Sequence, residues 1–82
     1  MTKQEITVKT IQILENITES HIDLDSSREN TTAWDSLNHV RLLLELNESF
    51  SIKIPFDFFG KLNSIDEIVN FIMTAKTSSN SF

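Results

Sequence analysis

Cysteine is absent from this 82-residue chain, and glycine and proline occur once each. Without cysteine there is no disulfide, no zinc–thiolate site and no cysteine nucleophile, which fits a reducing compartment. A single glycine and a single proline, with 39% hydrophobic residues, suit a compact, mostly helical domain rather than a disordered or fibrous segment. Positive charge is also scarce. Seven Lys and Arg stand against twelve Asp and Glu, for a net charge of -5. That is the wrong sign for neutralising nucleic-acid phosphates or docking on an anionic membrane. No apolar run is long enough for a secretory core or a membrane span, so the expected location is the cytoplasm. The length allows one domain, which buries only roughly 60% of its unfolded surface and leaves little room for a deep cleft.

The periodicity predicts three long helices and one short one. A first helix spans about Lys3 to Thr18, with Ile6, Ile13, Leu14 and Ile17 on one face and Thr10 on the same stripe. Val8 and Ile11 lie off it, either covered on a second side or simply exposed. Glu19 to Asp35 reads as a long loop, with Ile22, Leu24 and Trp34 as expected anchors. Asp35 or Ser36 can cap a second helix that runs to Phe50. Leu37, Val40, Leu43, Leu44, Asn47 and Phe50 are expected on its buried arc, with Leu42 among the polar positions. Ile52 and Ile54 belong to an extended connector ending at Pro55. A short helix through Phe56, Asp57, Phe58 and Phe59 is expected to stop at Gly60. Ser64 caps the last helix, with Glu67 completing a capping box and Ile65, Ile68, Val69 and Ile72 forming the buried stripe. The fold class is all-α, a small four-helix bundle over residues 1–76 with a flexible tail over 77–82.

The segment Trp34-Asp35-Ser36-Leu37 puts a hydroxyl where the long loop enters a helix. Taken alone, these residues favour a plain N-cap. Their other reading is an attachment point. A phosphodiester on Ser36 would meet the free amides of the first turn and the positive end of the helix dipole, with no Lys or Arg needed beside it. His39, three residues on, invites a Ser–His hydrolase, but no pocket, oxyanion site or orienting third group accompanies it. It reads as a surface residue. His21 stands alone in the loop, and two histidines without cysteine make no convincing metal site. Asp23, Asp25 and Glu29 lack the spacing of a calcium loop.

From Thr31 to Ile72 the chain resembles an acyl carrier protein. The resemblance rests on Asp35-Ser36-Leu37, Val40, Leu42, Glu45-Leu46, Phe50, Ile54-Pro55, Ser64-Ile65 and the stripe ending at Phe71-Ile72. It implies a carrier rather than a catalyst. Ser36 would receive 4'-phosphopantetheine from coenzyme A through a magnesium-dependent phosphopantetheinyl transferase. The terminal thiol of that arm would hold acyl or aminoacyl groups as thioesters, which accounts for the missing cysteine. The implied partners are that transferase, a loading ligase or synthase, and downstream acyl-transfer enzymes, acting on a monomer.

Asp35, Leu37, Arg41, Leu42, Glu45 and Glu48 are the expected partner-recognition residues. Leu46, Phe50, Ile54, Phe58, Phe59 and Leu62 are candidates to line an acyl-chain pocket, although each can equally be plain core. The chain departs from the familiar fatty-acid carriers. Ala33-Trp34 stands where they show Gly-x, Arg41 occupies a position often acidic in them, and only Glu45 and Glu48 keep the helix acidic. This form resembles a dedicated carrier in a specialised pathway, such as surface-glycan modification, lipid tailoring, or polyketide or nonribosomal peptide assembly. The competing reading is a helical adaptor that binds a partner helix, with Ser36 only a cap.

Overall fold

The computed structural model describes residues 2–79 and is all-helical. Three α-helices, α1 (Lys3–Thr18), α2 (Ser36–Phe50) and α3 (Ile65–Ser79), are joined by a long loop and by a 3₁₀ helix over Phe56–Lys61. The expected four-helix bundle is what forms, with α1 packed against both α2 and α3 and the 3₁₀ helix resting on α2. α3 continues three residues beyond the boundary expected at residue 76, and residues 80–82 of the expected tail lie outside those described.

α1 begins in a reciprocal capping box. The Glu5 amide donates to the Thr2 hydroxyl, and the Glu5 carboxylate accepts from the Thr2 amide, so two otherwise orphaned donors are satisfied. Ile6, Thr10, Ile13 and Leu14 are buried as the stripe requires, while Ile11 and Ile17 are partly covered and Val8 is left exposed.

α2 buries a different face from the one expected. His39, Leu42, Leu43, Leu46 and Phe50 point inward, whereas Leu37, Val40 and Leu44 are exposed. At 3.6 residues per turn this is a rotation of about a quarter turn. Positions 39, 42, 43, 46 and 50 form one regular stripe, and the His39 ring finds its partners on this inner side. Each fully buried leucine there contributes roughly 1.5 to 3 kcal/mol.

The stripe of α3 is as expected, with Ile65, Ile68, Val69 and Ile72 buried. The Ser64 hydroxyl accepts from the Glu67 amide at 3.1 Å. The Glu67 carboxylate, however, accepts from the Asn63 amide and the Ser64 hydroxyl rather than from the Ser64 amide that would close the box. The 3₁₀ helix runs through Gly60 to Lys61, and Gly60 has no positive φ, so it does not terminate the helix. No residue of that segment is buried, and Phe56 stacks on Phe59 at the surface.

Two of the three expected loop anchors are buried, Ile22 and Trp34, whereas Leu24 is 63% exposed. What replaces Leu24 is backbone pairing. The Arg28 amide donates to the Asn63 carbonyl, and the Ile65 amide donates to the Ser26 carbonyl, forming an antiparallel bridge at Ser27 and Ser64. The loop is thereby tied to the start of α3, a long-range pairing that local composition does not encode.

Candidate functional site

Ser36 is the first residue of α2, and its side chain is exposed. The capping duty falls on Asp35 alone. Its carboxylate accepts from the Asn38 amide at 2.9 Å, and its carbonyl accepts from the His39 amide at 2.8 Å. The Asn38 side chain also donates back to the Ala33 carbonyl, fixing the angle at which the loop enters the helix. No capping bond uses the Ser36 hydroxyl, and beyond the Asp35 cap itself no acidic residue stands in the first turn.

Although the helix end needs no basic residue to receive an anion, one stands beside Ser36. Arg28 reaches across from the loop, with Nη2 donating to Ser36 Oγ at 3.0 Å and Nη1 donating to Asn63 Oδ1 at 3.3 Å. The bridge to the start of α3 delivers it, because the same residue's amide is bonded to Asn63. Eight positions separate Arg28 from Ser36, so no local motif links them. The available signal was scarcity: Arg28 is the one Lys or Arg between Lys9 and Arg41.

His39 is the second correction. The imidazole is buried, with Nδ1 accepting from the Trp34 indole at 3.0 Å and Nε2 lying 2.6 Å from the Phe59 carbonyl oxygen. Nδ1 is therefore the acceptor, and Nε2 carries the proton donated to Phe59. Burial pushes the pKa of His39 down, opposed by the bond to Phe59, with the positive charge of Arg28 lowering it further. Both ring nitrogens are committed, so this histidine is not poised as a base for Ser36. It joins the loop, α2 and the 3₁₀ helix into one unit beneath the serine.

Of the expected partner-recognition residues, Asp35, Leu37, Arg41, Glu45 and Glu48 are exposed on α2 or at its cap. Leu42 is fully buried and unavailable, because the helix is turned so that this leucine enters the core. Val40 and Leu44, expected inside, are outside instead. With Leu37 they make an apolar edge at helical spacing running down α2 from Ser36.

Among the candidate pocket residues, Leu46, Phe50, Ile54 and Leu62 are closed into the core, Phe59 is half-buried and Phe58 is 37% exposed. Phe58 packs instead against Phe71, with the Lys61 ammonium over its ring. A groove of about 830 Å³ lies elsewhere, between α1 and α3, lined by Val8, Ile11, Leu24, Ile65 and Val69 among others. Among the described residues no cluster of three or more His, Asp or Glu could hold a metal ion, and no helix is long and apolar enough to cross a membrane.

No protein-family model matches the chain. It is 31% identical over 75 residues to an acyl carrier protein of Guillardia theta, covering 88% of this chain and 93% of the relative. It is 28% identical over 81 residues to an acyl carrier protein of Rubrobacter xylanophilus, covering 95% of this chain and the whole relative. A third such protein, from Prochlorococcus marinus, is 29% identical over 79 residues and covered to 99%. Similarity that runs nearly end to end in both partners, on an all-helical bundle with an exposed serine at the start of its second helix, settles the kinship: the chain belongs to the acyl carrier protein family and is a carrier, not an enzyme.

Proposed function

We propose that Ser36 is the attachment point for 4'-phosphopantetheine and that the chain presents acyl or aminoacyl groups on this arm to enzymes of a specialised pathway. The observation that carries the reading is the state of Ser36. It is an exposed hydroxyl at the first position of α2, relieved of capping by Asp35 and held from the side by a guanidinium.

The residues suit the group. Attachment requires Ser36 Oγ to lose its proton and bond to the phosphorus of coenzyme A nearest the pantetheine. The bond from that phosphorus to the oxygen bridging it to the adenosine bisphosphate breaks, and adenosine bisphosphate leaves. The chain contributes position and electrostatics to this step; the transferase contributes the base. The amides of Ser36 and Leu37 have no acceptor among the described residues and face the same end of α2 as the hydroxyl, where the helix dipole favours negative charge. When bound, the arm supplies a thiol for thioester chemistry, which this chain has no cysteine to provide.

Leu37, Val40 and Leu44, flanked by Arg41, Glu45 and Glu48, supply a small mixed surface beside the serine. A surface of this size suits brief contacts, as a carrier that must release each enzyme needs. The specialised-pathway reading is supported by Arg41, exposed on that face, which alters the match to strongly basic partners.

The test is the intact mass before and after incubation with coenzyme A, magnesium and a broad-specificity phosphopantetheinyl transferase, with Ser36→Ala as control. The expected result is a gain of one phosphopantetheine, absent in the variant. No gain on a folded protein with several transferases would reject the reading and turn attention to an adaptor role. The pathway claim has its own check: it fails if this chain alone sustains bulk fatty-acid synthesis in cells deprived of their housekeeping carrier.

A further inference from the structure

We infer that Arg28 is the intrachain counter-ion of the phosphodiester formed on Ser36, so that loading the arm locks the long loop and the start of α3 onto α2. This rests on the reading of Ser36 as the attachment site and adds to it a second residue, which acts by positioning the arm.

Arg28 has no carboxylate within ion-pair distance among the described residues, in a chain of net charge -5. The guanidinium instead donates to two neutral oxygens, Ser36 Oγ at 3.0 Å and Asn63 Oδ1 at 3.3 Å, and its Nε is buried without a partner. A guanidinium presents five donors in a planar fork suited to phosphate, and an anionic phosphate oxygen adds a charge attraction that a neutral hydroxyl lacks. The atom it already touches is the one that would carry the phosphorus. Attachment therefore places negative charge beside an under-used cation without moving either backbone.

The mechanical consequence follows from what holds Arg28. Its amide is bonded to Asn63, and the neighbouring Ser26 carbonyl accepts from Ile65. The side chain thus connects three elements: the loop, the start of α2 and the start of α3. In the unloaded chain the link to α2 is a bond to a neutral hydroxyl. In the loaded chain it becomes an ion pair, which holds the root of the arm against the protein while the distal part stays free to travel. Because the site is open to solvent, the pair is modest and weakens with salt.

The experiment compares unloaded and loaded forms of the wild type, Arg28→Gln and Arg28→Lys, with intact mass confirming loading in each. Loading is expected to raise the melting temperature of the wild type by about 2 to 4 °C at low salt. The rise should vanish in Arg28→Gln, persist in part in Arg28→Lys, and shrink in 1 M salt. In ¹⁵N-labelled wild type, the Arg28 guanidinium resonances should shift on loading, with a matching change of the ³¹P resonance between wild type and Arg28→Gln. The wild-type guanidinium measurement decides the matter even if Arg28→Gln does not fold. A loaded wild type whose guanidinium resonances stay in place, or an equal thermal rise in wild type and Arg28→Gln, overturns the role of Arg28 and leaves the arm on Ser36 standing. A wild type that gains no mass overturns both.

Discussion

The indole N–H of Trp34 donates to Nδ1 of His39 across 3.0 Å inside the protein, tying the long loop to the helix that begins at Ser36. Since the other ring nitrogen lies against the Phe59 carbonyl, the imidazole is held neutral in a single tautomer. Protonation would set an N–H on Nδ1 against the indole N–H and break the clasp.

A pH dependence follows. The pKa of His39 is lowered in the folded chain, mainly by burial, while the unfolded chain has the ordinary value near 6.5. The unfolded state then binds more protons as pH falls through that region, so stability rises with pH up to about 6.5 and levels off above it. Acidification below about 6.5, toward the lowered folded value, removes the stabilisation. The chain has one tryptophan, so its emission reports on the clasp directly. Urea unfolding followed at Trp34 from pH 8 to 5, with the His39 ring resonance tracked by NMR, should show both trends. A His39 resonance that titrates at or above 6.5 in the folded protein would refute the account.

Ser36 and Asp35 should separate cleanly on substitution. Asp35 caps α2, so Asp35→Ala is expected to cost about 1 kcal/mol in denaturant unfolding. Ser36→Ala removes only the acceptor of one exposed Arg28 bond and should change stability by less than about 0.5 kcal/mol while abolishing the mass gain. A Ser36→Ala variant destabilised as much as Asp35→Ala would mean that the serine shares the cap after all.

The face that α2 turns inward makes a third prediction. Leu42→Ala and Leu43→Ala should each cost roughly 2 to 5 kcal/mol, because both side chains are fully buried. Leu44→Ala, at a position 56% exposed, should stay within about 0.5 kcal/mol. Urea midpoints of the three variants settle the order. Equal losses at 42 and 44 would show that the helix is not rotated as described.

That rotation also shows where the sequence was legible. The α1 and α3 stripes are aliphatic at helical spacing apart from Thr10, with caps before them, and both helices form where the pattern puts them. The candidate Ser36 was legible for the same reason, since a helix start and a family motif coincide there. In α2 the inward stripe includes a histidine, which counts as polar until tertiary partners are known, and reading it as polar turned the arc toward Val40 and Leu44. Arg28 was hidden differently. Its approach to Ser36 depends on pairing between residues 26–28 and 63–65, about 35 positions apart, which no local propensity specifies. The phenylalanines of the 3₁₀ helix misled in the opposite direction, because apolar content alone does not bury a segment at the edge of so small a core.

Thr10 provides the last prediction. Its residue is fully buried on the inner face of α1, yet its hydroxyl has no hydrogen-bond partner. The contrast lies within the same helix: Thr7 donates to the Lys3 carbonyl and Thr18 to the Leu14 carbonyl, each at 2.8 Å. An unsatisfied buried hydroxyl costs roughly 1 to 3 kcal/mol, and valine keeps the branched shape while removing it. Valine also keeps the stiffness at χ1 that a helix already tolerates at this position. Thr10→Val should therefore stabilise the chain by about 1 kcal/mol, raising the melting temperature by roughly 4 to 8 °C for a domain of this size. Calorimetry on the unloaded form, where the arm contributes nothing, is the direct check. A neutral or lower melting temperature would mean that the hydroxyl finds a partner, such as a buried water, and the core around Thr10 is wetter than its closed packing implies.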